Sequence, residues 1–128
     1  MNCRAAALFL ASCFAVSASP LFVTLAQQNT ETVVLELGKP FVRELAGGQS
    51  HKYTLSLAAN QYVRVLARQN GVDIVLTFRD SAGRKLVDAH DHFGGVTGVE
   101  TFALITTEAG DCTIEVDTVE KKAAPGHY

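Results

Sequence analysis

The chain has 128 residues, 48% of them hydrophobic and 19% charged, a balance that fits one globular domain and excludes a disordered chain. Its net charge of −2, with acids and bases interleaved, leaves no basic patch for nucleic acid. With no Trp and three Pro, it offers neither an aromatic sugar platform nor a Pro-rich ligand.

The first segment, "MNCRAAALFLASCFAVSASPLFVTLAQQ", carries one positive charge at Arg4 and no other charge before Glu31. A short basic start, an apolar middle and small residues at Thr24 and Ala26 describe a signal peptide over 1–26, cut before Gln27. The expected location is therefore secreted or periplasmic, with 27–128 as the mature domain and no membrane span after cleavage. Two alternatives stand beside this reading. "LASC" has lipoprotein-box spacing and would make Cys13 a lipid-bearing terminus, although the chain stays apolar after it. An uncleaved anchor is long enough, since about 20 apolar residues span a bilayer, but Pro20, Ser17 and Ser19 oppose it. Cys3 and Cys13 leave with the signal, so Cys112 stands alone and cannot form an internal disulfide or a multi-cysteine zinc site.

Beyond Glu31 the hydrophobic period is two. The pattern predicts eight strands, near 31–37, 41–45, 51–57, 61–69, 73–79, 85–89, 100–106 and 112–119. In "HKYTLSL", Tyr53, Leu55 and Leu57 alternate with Lys52, Thr54 and Ser56. In "QYVRVLAR", Val63, Val65 and Ala67 point inward and Arg64 and Arg68 outward. "ETFALITT" and "CTIEVDTV" alternate similarly, and Cys112 shares its face with Ile114 and Val116 as a small buried hydrophobe. Between the runs, "LGKP", "AGGQ", "LAAN", "QNG", "DSAG" and "EAGD" are turn chemistry, and "HDHFGGVTGV" is a longer Gly-rich connection. The fold class that follows is an all-β antiparallel sandwich, jelly-roll-like, of about eight strands. The tail "VEKKAAPGHY" reads as a loop entering a further strand, so the domain either closes on a short final strand or stays one strand short and exposes a sheet edge. Such an edge could be left by a truncated reading frame, paired in a dimer, or filled by a partner's strand.

Three stretches carry candidate chemistry. Asp73, after Asn70 and Gly71, reads as a turn device whose carboxylate accepts backbone N–H bonds. The rival is a calcium ligand helped by Asn70 and Asp80, but calcium takes six to eight oxygens, more than this stretch supplies. In "VDAHDHFGG", Asp88, His90 and His92 alternate and would share one side of an extended chain at about 7 Å spacing, a possible metal site for zinc. A fourth ligand would have to come from His51 or His127. Lys52, Arg64, Arg68 and Arg79 are expected to line an outward sheet face. No nucleophile elbow and no Walker-type phosphate loop is present, so no catalytic residue and no cofactor is assigned.

"LGKPFVRELAGGQSHKYTLSLAANQYVRVLARQNGVDIVLTFRDSAGRKL" followed by "TFALITTEAGDCTIEV" resembles the pre-peptidase C-terminal-like β-sandwich domain over 36–128. In particular it is similar to the form near the N-terminus of exported bacterial proteins that continue into tetratricopeptide repeats and a CHAT protease-like domain. Cys112 departs from the pattern, which favours an aromatic there. The resemblance implies a non-catalytic accessory module that recognises a protein or extracellular polymer. The alternative is a small periplasmic protein binding zinc, calcium or another ligand through segment 88–92.

Overall fold

The computed structural model describes residues 32–90 and 95–128; the signal-peptide reading, Cys13 and His92 fall outside them. Among the described residues nine strands are present: β1 (Thr32–Val34), β2 (Glu44–Leu45), β3 (Ser50–Leu57), β4 (Tyr62–Asn70), β5 (Ile74–Arg79), β6 (Lys85–Ala89), β7 (Thr97–Ile105), β8 (Gly110–Thr118) and β9 (Gly126–His127). They form a five-stranded sheet, β1-β3-β8-β5-β6, facing a four-stranded sheet, β2-β9-β4-β7. Every pairing is antiparallel except β1 with β3. The expected all-β sandwich is the observed architecture. No helix among the described residues is long and apolar enough to cross a membrane.

Alternation determines what each strand buries. Tyr53, Leu55 and Leu57 of β3, Cys112, Ile114 and Val116 of β8, and Ile74, Leu76 and Phe78 of β5 turn inward from the first sheet. Val63 of β4 and Phe102 of β7 answer from the second. Phe78 and Phe102 meet across the layers with ring centroids 5.6 Å apart. Burying these side chains, at roughly 1.5–3 kcal/mol for each large one, is the main force holding the sheets together.

The strand assignment needs one correction and gains one short strand. The two N-terminal strands are far shorter than the apolar pattern suggests, because residues 35–43 cross from the first sheet towards β2 as a strap that pairs through its backbone at its two ends, Leu35 to Thr54 and Arg43 to Tyr128. The tail does form a strand. β9 pairs with β2, and its His127 stands opposite Asn70 of β4. Tyr128 exchanges both backbone hydrogen bonds with Arg43, at 3.0 Å each.

Close backbone approach explains the glycine at the head of β9. A Cβ on Gly126 would lie 2.5 Å from the carbonyl carbon of Gly71 and from the Val72 nitrogen. Both obstacles are backbone, so the strand itself would have to move. Gly126→Ala is expected to cost about 1–3 kcal/mol, as overpacking does. Chemical denaturation reads this as a lower midpoint; an unchanged midpoint would mean that β9 does not dock as described.

Candidate functional site

Two polar residues break the apolar rule on the inward faces. Gln69 of β4 has the parity of Val63, Val65 and Ala67, and Glu100 of β7 has the parity of Phe102 and Leu104. Both are buried, Glu100 at 2% exposure. The turn from β4 to β5 brings Asp73 to them, and the chain leaving β6 brings His90. Asp73, His90 and Glu100 each present a ligand atom within 4.8 Å of the other two.

Gln69 organises this corner. Its Oε1 accepts the Ile74 N–H at 3.0 Å, while its Nε2 donates to the Gly95 carbonyl at 2.8 Å and to Glu100 Oε1 at 3.4 Å. Asp73 Oδ1 is buried without a hydrogen bond and lies 3.8 Å from His90 Nδ1. Two carboxylates this close, one of them fully buried, repel each other in a medium that screens poorly. A metal ion among them would offset that repulsion. Zinc with ligand bonds of about 2.0–2.2 Å brings its donors to within about 4 Å of one another, which the Asp73–His90 separation already meets. Calcium, which takes about six to eight oxygens, is poorly served by one imidazole and two carboxylates.

The residues singled out from sequence are redistributed. Asp73 does not cap its turn; the Gln69 amide does, because it reaches across from the neighbouring strand to the Ile74 N–H. The side-chain turn device sits instead at Asp80, whose Oδ1 accepts the Ala82 and Arg84 N–H groups at 3.0 and 2.8 Å. Asp88 does not join His90, because its carboxylate is engaged by Lys85 Nζ at 2.8 Å and Thr77 Oγ1 at 3.4 Å. Those bonds, the Lys85 bond foremost, hold its pKa below the usual carboxylate value. His51 and His127 stand elsewhere, His127 beside Glu44. The four outward cations occupy two different sheets. Lys52 and Arg79 clasp Glu115 at 3.1 and 3.2 Å, whereas Arg64 and Arg68 lie on the outside of β4. Burial works against the charged Glu115, but those two partners outweigh it and lower its pKa. Cys112 is buried, and that burial, with the charge of Asp80, raises its thiol pKa away from reactivity.

The parity of Glu100 and Gln69 is a signal that the sequence carries: a carboxylate and an amide in register with core hydrophobes need partners inside.

Elsewhere, the two sheets part into a groove of about 740 Å³ between the strap and β4. Its floor includes Leu55, Leu76, Ile114 and Val116. Phe41, Tyr53 and Tyr128 of its lining belong to an aromatic group. Tyr53 and Tyr128 share a hydrogen bond between their hydroxyls, His51 Nδ1 lies 2.6 Å from the Tyr128 hydroxyl, and the Arg43 guanidinium stands 5.9 Å from the Tyr53 ring centre. Phe41 of the strap tilts onto Tyr53 at 5.3 Å. Burial, then the bond to Tyr53, pushes the Tyr128 hydroxyl far above the ordinary phenol pKa. Burial, then the charge of Arg43, lowers the His51 pKa.

No family model matches the sequence, and no curated protein is similar to it. A solved structure does match the fold. The pre-peptidase C-terminal domain of collagenase from Bacillus anthracis superposes with a TM-score of 0.61 at 12% identity, over 77% of this chain and 92% of that one. The chain thus has the pre-peptidase C-terminal-like fold, in agreement with the resemblance drawn from its residues.

Two measurements check this geometry. Gln69→Leu strands the Ile74 N–H and is expected to cost about 1–3 kcal/mol, seen as a lower denaturation midpoint; no loss would mean that the corner is held by other contacts. The lowered His51 pKa means that the folded state binds fewer protons than the unfolded one once the pH falls below about 6.5, so stability declines there. Between pH 7 and 5 the wild-type melting temperature should fall while that of His51→Gln stays flatter. Parallel curves would remove His51 as the cause. The carboxylates Asp88 and Glu115, whose stabilisation is present above about pH 4 and lost below it, act in a separate window.

Proposed function

We propose that this chain is a non-catalytic accessory module of an exported protein, acting by recognition of a protein or extracellular polymer surface. One observation carries the reading. The groove between strap and β4 is mainly apolar; of the titratable groups that line it, Glu36, Lys39, Arg64, Arg68 and His127 belong to scattered elements, while Tyr53 and Tyr128 are bonded to each other in fastening the tail. The likeness of fold to a domain that adjoins a peptidase supports the accessory role, and the signal-like leader supports export, with lipid attachment at Cys13 as its alternative.

A second reading has its own observation. Asp73, His90 and Glu100 converge at a buried corner where one carboxylate oxygen has no hydrogen bond, an arrangement suited to one divalent cation of the zinc type. It shares His90 with the linear set Asp88, His90 and His92, of which His92 lies outside the described residues.

Two assays test these readings. The purified full chain, offered ester, glycoside, phosphate-ester and peptide substrates with and without zinc, is expected to turn over none above background. Turnover that Glu100→Gln abolishes would overturn the accessory role. Calorimetric titration with zinc is expected to give one site that Glu100→Gln weakens by at least about tenfold, while calcium gives no heat. No heat with zinc removes the second reading and leaves the first standing.

A further inference from the structure

β4 has two edges, and one of them is largely bare. Its pairing with β7 runs its whole length, Tyr62 opposite Ile105 through Asn70 opposite Thr97, without a break in register. The bonds at the two ends settle which residues serve that partner. Thr106 N–H donates to the Gln61 carbonyl, and Gly71 N–H donates to the Val96 carbonyl. Odd-numbered residues therefore turn their backbone groups towards β7, and even-numbered ones turn away. On the far side Asn70 meets His127 of β9, and there the pairing stops. No described strand pairs with Tyr62, Arg64, Leu66 or Arg68 along that edge.

The bare edge differs from the outer edge of β7, because it opens onto the groove rather than onto bulk solvent. An extended segment laid against it would continue the line of β9 within the sheet. Its alternate side chains would drop onto Leu55, Ile114 and Val116, which now face the groove. Its remaining side chains would stand on the outer face beside Tyr62, Arg64, Leu66 and Arg68, all exposed. Arg64 and Arg68 have no ion-pair partner among the described residues. They are four residues apart on one face, a span of about 13 Å.

We infer that the open edge of β4 takes an extended segment of a partner protein as an added antiparallel strand, with apolar side chains facing the groove and carboxylates opposite Arg64 and Arg68. This rests on the accessory reading and names the partner chemistry it requires. Strand addition supplies affinity through main-chain bonds and specificity through alternate side chains. The charges choose between occupants. A second copy paired by the same edge would crowd four guanidinium groups onto one face of two adjacent strands, which is unfavourable, whereas an acidic strand neutralises the pair already present.

The test uses the full chain and a short synthetic peptide of alternating valine and threonine, with glutamates spaced to meet Arg64 and Arg68. Fluorescence anisotropy should report saturable binding. Replacing the glutamates by lysines should weaken it by about tenfold or more, and the Arg64→Glu, Arg68→Glu double variant should reverse that preference. Both substitutions are at exposed positions, so folding is preserved. N-methylation separates strand addition from mere side-chain contact. Methyl groups on one alternate set of peptide nitrogens should abolish binding, and those on the other set should leave it intact. Equal binding by both methylated peptides, no binding by the parent peptide, or a concentration-dependent dimer blocked by the double variant would each overturn the proposal, the last by giving the edge to a second copy. None of these outcomes bears on turnover, so the accessory reading fails or survives separately in its own assay.

Discussion

Phe78 of β5 and Phe102 of β7 meet between the sheets, and the asymmetry of the molecule follows from where that contact lies. Around it β5 and β6 pack against β7, so the two layers are closed. Away from it the five-stranded sheet continues through β8, β3 and β1. Among the described residues the other sheet has only the short β9 and β2 beyond β4. A sandwich with unequal layers leaves inward-facing side chains without a complete cover. The strap 35–43 and the C-terminal tyrosine supply part of that cover, and the groove is what remains.

The polar features follow from the same inequality. At the β4–β5 turn the layers end on Gln69 and Glu100 rather than on hydrophobes; the hydrogen-bonding needs of Gln69 draw in Ile74 and Gly95, and Asp73 and His90 lie beside Glu100. By the strap, Tyr53 carries a hydroxyl into the interior, and it is met by the hydroxyl of Tyr128, which reaches His51 in turn. Neither group lies inside the other's hydrogen-bond network. The first is suited to holding a cation, while the second fastens the tail and makes stability sensitive to mild acid. The outside of the five-stranded sheet, with Glu115 held between Lys52 and Arg79, is charge-balanced and solvated.

Much of this was legible in the residues. β3, β5 and β8 carry clean period-two patterns, and their observed bounds differ from the expected ones by at most two residues at each end, because alternation is what a half-buried strand requires; β6 has the expected bounds, 85–89. Three things were not legible. The apolar residues on either side of "LGKP" look like strand, but Leu37, Phe41 and Val42 serve a crossing segment and stay exposed. β7 starts at Thr97, ahead of expectation, because Gly98 in a Gly-rich stretch hides a run whose pairing with Gln69 and Asn70 is set by tertiary register. β9 is two residues long, too short for any pattern, and exists because Gly126 fits against the Gly71 backbone. At the candidate site His90 and Asp73 were visible as residue types, but their convergence depends on two turns that periodicity does not encode.

The incomplete layer is the central physical claim, and backbone hydrogen exchange of the free full chain addresses it directly. Within β4 the amides of Val63, Val65 and Ala67 bond towards β7 and should exchange slowly, while those of Tyr62, Arg64, Leu66 and Arg68 should exchange near the rate of open chain. Such residue-by-residue alternation along one strand is the signature of an edge left bare. Uniform protection from Tyr62 to Arg68 would mean that another segment already lies along β4, and the groove beside it would then not be a place for a partner.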